Sequence, residues 1–182
     1  MDQNSLFLGA GFEFVKSYYQ FHIDLTADLE APTWSQGVAV RTAAPADDDE
    51  AIYRVAQTAF ERPEDQGPTF EQLRSHMIWP ELYDPGLWFL ATAEDEIVGT
   101  SLGVKDKAEG WIRQLGVIPG WRGKGIASAL LRHSLLAFRE RGYQSVGLGM
   151  EADNENALRL HERVGMHDGR QYDDYRKVYT PV

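Results

Sequence analysis

The run Gly120-Trp121-Arg122-Gly123-Lys124-Gly125-Ile126-Ala127 limits the folds open to this chain more than any other feature. It joins WIRQLGV (Trp111 to Val117), which reads as a strand, to Ile126–Arg141, which carries apolar residues around most of a helical circumference. Glycines at such a junction let successive backbone N–H groups turn toward one point. The helix start adds unpaired N–H donors and partial positive charge. Arg122 and Lys124 supply two cations to a chain whose 18 Lys and Arg against 28 Asp and Glu leave a formal net charge of −10. The segment therefore reads as an anion cradle, with a plain Gly-rich strand-to-helix turn as the alternative. A nucleotide phosphate loop would need Ser or Thr after Lys124, and Gly125 stands there.

The rest of the chain alternates strands with helices. Val38–Ala43 reads as a short strand ended by Pro45, and the acidic run Asp47–Glu50 opens a helix through Phe60 as a solvated helix start. Thr69 and Gln72 form a capping box for a second helix ending near Pro80. Leu87–Ala93 and Glu96–Lys105 make a hairpin across a tight acidic turn. After the long helix, stopped by Gly142, come a strand at Ser145–Glu151 and a helix at Asn154–Val164 stopped by Gly165. The tail reads as two short strands joined at Asp173–Asp174. Antiparallel neighbours followed by a helical crossover predict a single α+β domain of 182 residues, a mixed central sheet flanked by about four helices.

Composition excludes several classes. So acidic a domain is a poor partner for nucleic acid or an anionic membrane, since both demand clustered positive charge. The absence of cysteine removes disulfides, thiolate metal sites and a Cys nucleophile. The N-terminus has no export pattern and no stretch approaches a membrane span, so a soluble cytoplasmic domain is expected. Three motif matches fail on context. Gly99-Thr100-Ser101-Leu102-Gly103 lies inside a strand rather than at a nucleophile elbow, and the glycines of Gly147–Ala152 lie within a strand rather than after it. His161-Glu162 lacks its second histidine, Gly165 standing there, and His133 reads as a packed residue of its helix. No metal is expected.

Gln114 to Ala127, with Arg122–Ala127 as its Q/R-x-x-G-x-G/A core, resembles motif A of the GNAT superfamily of acyl-CoA N-acyltransferases. Asn154 to Met166 resembles that family's N-x-x-A-x-x-L-Y-x-x-x-G-F segment, about 30 residues downstream. The resemblance implies a GNAT fold over residues 38–182 and acetyl-CoA, or another acyl-CoA, as donor. It implies that backbone N–H groups of Arg122, Gly123, Lys124, Gly125, Ile126 and Ala127 hold the pyrophosphate. It also implies that the free edge of Leu115, Gly116 and Val117 pairs with the pantetheine arm, and that Asn154 lies beside that arm. With no cysteine, acyl transfer is by direct attack of the acceptor amine on the thioester. The family's usual general acid is a Tyr where this chain has His161, so His161 stands between a catalytic and a packing role. Glu151 is the first candidate for the base, with Glu109 or water as alternatives.

The implied activity is N-acetylation of a small-molecule amine. Acetylation of a protein lysine or N-terminus is the enzyme alternative, and a non-catalytic acyl-CoA-binding module is the alternative of a different class. Acceptor contacts are expected from the 61–68 loop, the 79–87 stretch and the strands carrying Tyr172 and Tyr175. Residues 1–37 are expected to be an extension. The segment Gly11–Leu25 can be laid over the tail at a constant offset, 165 − 11 = 154, so that Gly11 meets Gly165 and Tyr18 meets Tyr172. From Val38 onward the chain resembles the second half of tandem GNAT proteins, the group that includes mycothiol synthase. Phe12–Leu25 is therefore expected to be a strand left from a lost first domain. Its aromatics would be buried against the chain's own sheet or, preferably, in a homodimer.

Overall fold

The computed structural model describes residues 3–60, 69–77, 82–106 and 109–177, and they form two compact units. The larger, Ile23–Leu148, contains β2 (Val38–Thr42), α2 (Asp49–Ala59), α3 (Phe70–Met77), β3 (Tyr83–Ala93), β4 (Glu96–Asp106), β5 (Glu109–Val117) and α4 (Ile126–Glu140). It also contains the first residues of β6 (Ser145–Glu151). The strand order here is β2-β3-β4-β5-β6, antiparallel as far as β5 and parallel between β5 and β6. Apolar residues on both faces of β3 and β4 make these central, doubly covered strands: Leu87, Leu90, Val98 and Leu102 are wholly buried. From α4, Leu130, Leu131, Leu135 and Phe138 complete the core. Glycine lets that helix settle, since a Cβ at Gly110 would lie 2.4 Å from the Phe138 ring.

Two local expectations meet different outcomes. The capping box closes as drawn, Thr69 N–H donating to Gln72 Oε1 (2.9 Å) and Gln72 N–H to Thr69 Oγ1 (3.2 Å). The acidic run is not wholly a solvated helix start. Asp48 is buried, takes both Arg41 guanidinium nitrogens at 2.6 and 2.7 Å, and also accepts from the Ala44 N–H. Arg41 holds the Asp48 carboxyl below its ordinary range, so Asp48 fastens the end of β2 to the start of α2.

The smaller unit joins Met1–His22 to Gly149–Val182. It holds α1 (Gln3–Gly9), most of β1 (Glu13–Asp24), the end of β6, α5 (Glu155–Val164) and β7 (His167–Arg176). β1 is extended, as expected for Phe12–Leu25, and pairs antiparallel with β7, Tyr18 opposite Tyr172. The end of β6 joins them through the Ala152 N–H, which donates to the Ser17 carbonyl at 2.9 Å. The tail is one strand rather than two. Asp173 does not turn the chain, because it sits opposite Ser17 and accepts its hydroxyl at 2.7 Å. The described residues contain five α-helices, in line with the expected count of about four; α1 comes from a segment with no periodic signal, and its Phe7 stacks on Tyr175 at 4.8 Å. The 61–68 loop and residues 79–81, expected to touch an acceptor, lie outside the described residues.

Deletion of residues 1–30 should leave an aggregating or unfolded protein. It removes Phe21, Ile23 and Leu25, each at most 7% exposed, and takes the ladder partner from β7. At about 1.5–3 kcal/mol per buried side chain the loss rivals the whole stability of a typical domain. A truncated protein with an unchanged cooperative thermal transition would contradict this.

Candidate functional site

The cradle belongs to the larger unit. Beyond β5, Pro119–Trp121 makes a single 3₁₀ turn, and Gly123 (φ +76°) and Gly125 (φ +77°) then take the left-handed conformation that L side chains adopt only under strain. Gly125 is the N-cap of α4, and the first helical bond runs from the Ala129 N–H to its carbonyl. The N–H groups of Ile126 and Ala127 therefore stand at the open helix end. Among the described residues, and apart from its chain neighbours, a Cβ built on Gly123 or Gly125 would meet no atom within 4 Å. Left-handed glycines, helix-start N–H donors and open space above them are what a phosphate group requires.

The two cations of the loop differ in use. Lys124 Nζ lies 4.1 Å from the centroid of the Trp121 ring, which holds its charge at the cradle. Arg122 is among the residues whose N–H groups the resemblance assigns to the anion. Here its N–H donates to the Pro119 carbonyl (3.2 Å), and its guanidinium donates to the carbonyls of Val117 (3.2 Å) and Ala59 (2.7 Å). Arg122 thus ties the loop to the ends of β5 and α2. Trp121 and Ala59 were not singled out in the sequence, and a backbone carbonyl 63 residues away leaves no sequence signal.

The end of β5 leaves one edge open among the described residues. Its parallel ladder to β6 stops at Ile112 opposite Leu148, whereas Leu115, Gly116 and Val117 carry ladder partners on the β4 side: Ser101, Thr100 and Gly99. Among the described residues, the other edge of Leu115–Val117 has no strand partner. A chain carrying amide groups could add there as a further strand. Gly116 also serves packing, since a Cβ there would lie 3.0 Å from Ala59 Cβ.

Asn154, Glu151 and His161 belong to the smaller unit. Asn154 caps α5, its Oδ1 accepting the Ala157 N–H at 3.0 Å, as its place before Glu155 dictates. Glu151 ends β6 with its Oε2 2.8 Å from Lys16 Nζ, and that contact raises the Lys16 amine above its ordinary range. Lys16 was not anticipated from the sequence. His161 is 3% exposed and stands against Phe21 with ring centroids 5.3 Å apart; among the described residues its Nδ1 has no hydrogen-bond partner. Burial pushes its imidazole down to about 4, so the ring is uncharged at pH 7. Glu109, in the larger unit, accepts from the Ser145 hydroxyl at 3.2 Å. His133 is a packed ring, as expected, 4.5 Å from Phe89.

The acetyltransferase (GNAT) family model matches residues 50–166. A mycothiol acetyltransferase of Thermobispora bispora is 33% identical over 165 residues, covering 86% of this chain and 56% of that protein. One from Kineococcus radiotolerans is 34% identical over 140 residues, covering 76% and 46%. The crystal structure of a GCN5-related N-acetyltransferase from Sphaerobacter thermophilus superposes with a TM-score of 0.81 at 37% identity, covering 96% of this chain and 55% of that one. The chain spans about half the length of the curated relatives it matches.

Proposed function

The chain belongs to the GNAT acetyltransferase family, and we propose that it moves an acetyl group from acetyl-CoA to the primary amine of a small molecule. The observation that carries this reading is the cradle. Its left-handed glycines and the open start of α4 suit a pyrophosphate, and the partnerless edge of Leu115–Val117 suits the amides of a pantetheine arm. The relatives act on mycothiol-related chemistry by name, which favours a small-molecule acceptor over a protein. The net charge of −10 favours a cationic amine.

In the proposed reaction the acceptor nitrogen attacks the thioester carbonyl, the C–N bond forms, and the C–S bond breaks. The proton lost by the amine passes to a base, and CoA leaves as a thiolate. Glu151 enters this scheme as the base, with Lys16 orienting its carboxylate. His161 enters as a packed, uncharged ring beside Phe21 rather than as an imidazolium acid. A thiolate is a stable enough anion to leave without a dedicated acid. Residues 1–37 are read as an extension to the acetyltransferase domain, with β1 as its strand. A homodimer through the exposed Phe14 and Val15 belongs to the same reading and is checked by light scattering.

Calorimetric titration with acetyl-CoA, followed by an amine panel scored by CoA release, tests the function. Binding with no release for any amine would favour a non-catalytic module. In an active pairing, Glu151→Gln should lower kcat by about 10²-fold or more while KM for acetyl-CoA changes little. A Gln variant with full kcat would pass the base to another group.

A further inference from the structure

We propose that Ser35 is a positioning residue for the donor site: its hydroxyl sets the direction of the Gly125 N–H by holding the other side of the same peptide. Resting on the pyrophosphate reading of the cradle, this adds a residue from a distant segment. Ser35 Oγ donates to the carbonyl oxygen of Lys124. In a trans peptide the C=O and N–H point to opposite sides, so a carbonyl fastened toward Ser35 aims the Gly125 N–H the other way. The Lys124 carbonyl lies just before the helix, outside the first intrahelical bond from Ala129 to Gly125. With glycine on one side, this peptide has unusual freedom to flip, and a flip would put a carbonyl oxygen where an anion needs a donor.

Ser35 is itself held in place. Its carbonyl accepts the Val38 N–H at 3.0 Å across a turn with Gly37 at φ +79°. The segment leading to it lies along α4: Glu30 pairs with Arg132 at 2.8 Å, and the Trp34 ring stands 6.2 Å from that of His133. The segment joining β1 to β2 thus reaches from the body of α4 to the loop that starts it. An exposed serine hydroxyl on a surface carbonyl adds little to folding, which leaves orientation of the peptide as its consequence.

The test titrates wild type, Ser35→Ala, Ser35→Thr and Gly125→Asp with CoA by calorimetry. It also measures displacement of CoA by S-acetyl-pantetheine, which lacks the pyrophosphate. Ser35→Ala should weaken CoA by about three- to tenfold, with the thermal transition and the acetyl-pantetheine inhibition constant unchanged. Ser35→Thr, which keeps the hydroxyl, should restore wild-type affinity. Full CoA affinity in Ser35→Ala, alongside lost binding in Gly125→Asp, would overturn the role of Ser35 and leave the cradle standing. Equal weakening of CoA and acetyl-pantetheine would also overturn it. Wild-type binding by Gly125→Asp would remove the cradle reading, and the role of Ser35 with it.

Discussion

Gly125→Asp is expected to abolish measurable acetyl-CoA binding, a loss of about 10⁴-fold. Two costs combine. The position sits at φ +77°, where a residue with a Cβ carries about 1–2 kcal/mol of strain. The new carboxylate would occupy the open space above the glycine and oppose the pyrophosphate, and like charges about 4 Å apart near a protein surface repel by about 4 kcal/mol. Gly125→Ala separates these costs, since it keeps the strain without the charge and should weaken binding by about tenfold. Arg122→Ala should also act mildly, because its side chain bonds the Val117 and Ala59 carbonyls. Calorimetry with acetyl-CoA ranks the three. A Gly125→Asp protein of wild-type affinity would end the pyrophosphate assignment.

His161→Phe should change acid stability more than catalysis. The buried imidazole is held at about 4 against an ordinary 6.5, so the unfolded chain binds the proton more readily than the folded one between those values. Stability associated with this group is fully present above pH 6.5 and is lost as pH falls toward 4. A shift of that size corresponds to about 3 kcal/mol. Phenylalanine cannot take up the proton, and it also removes the partnerless Nδ1. Unfolding followed from pH 7 to pH 4 should therefore show a shallower loss in the variant, with kcat at pH 7 within a few-fold of wild type. A kcat lower by 10²-fold, with acetyl-CoA affinity intact, would restore His161 as the acid. An unchanged pH dependence of stability would mean that the ring is not desolvated.

What the sequence by itself determined is local. Gly123 and Gly125 before an apolar helix, Asn154 before Glu155, Gly165 after Val164, and Thr69 with Gln72 each specify a turn or a helix end. They do so because the cause lies within a few residues of backbone. The apolar runs that became β3, β4, β5 and α4 are legible for the same reason, as is the resemblance carried by Arg122–Ala127 and Asn154–Met166. Tertiary structure decided which groups those elements bring to one place. Whether an acidic side chain at a helix start is solvated, or buried on a guanidinium like Asp48, depends on what β2 presents to the start of α2. Whether Asp173–Asp174 turns the chain depends on Ser17 standing opposite. Periodicity put His161 on an apolar face, but only packing against Phe21 fixes how far water is excluded and so where it titrates. Ser35 and Lys124 are 89 residues apart, and Arg122 and Ala59 63. Hydrogen bonds of that reach need a hydroxyl or guanidinium on one side and a bare carbonyl on the other. Every residue but its neighbours could supply the carbonyl, so only the folded backbone selects it.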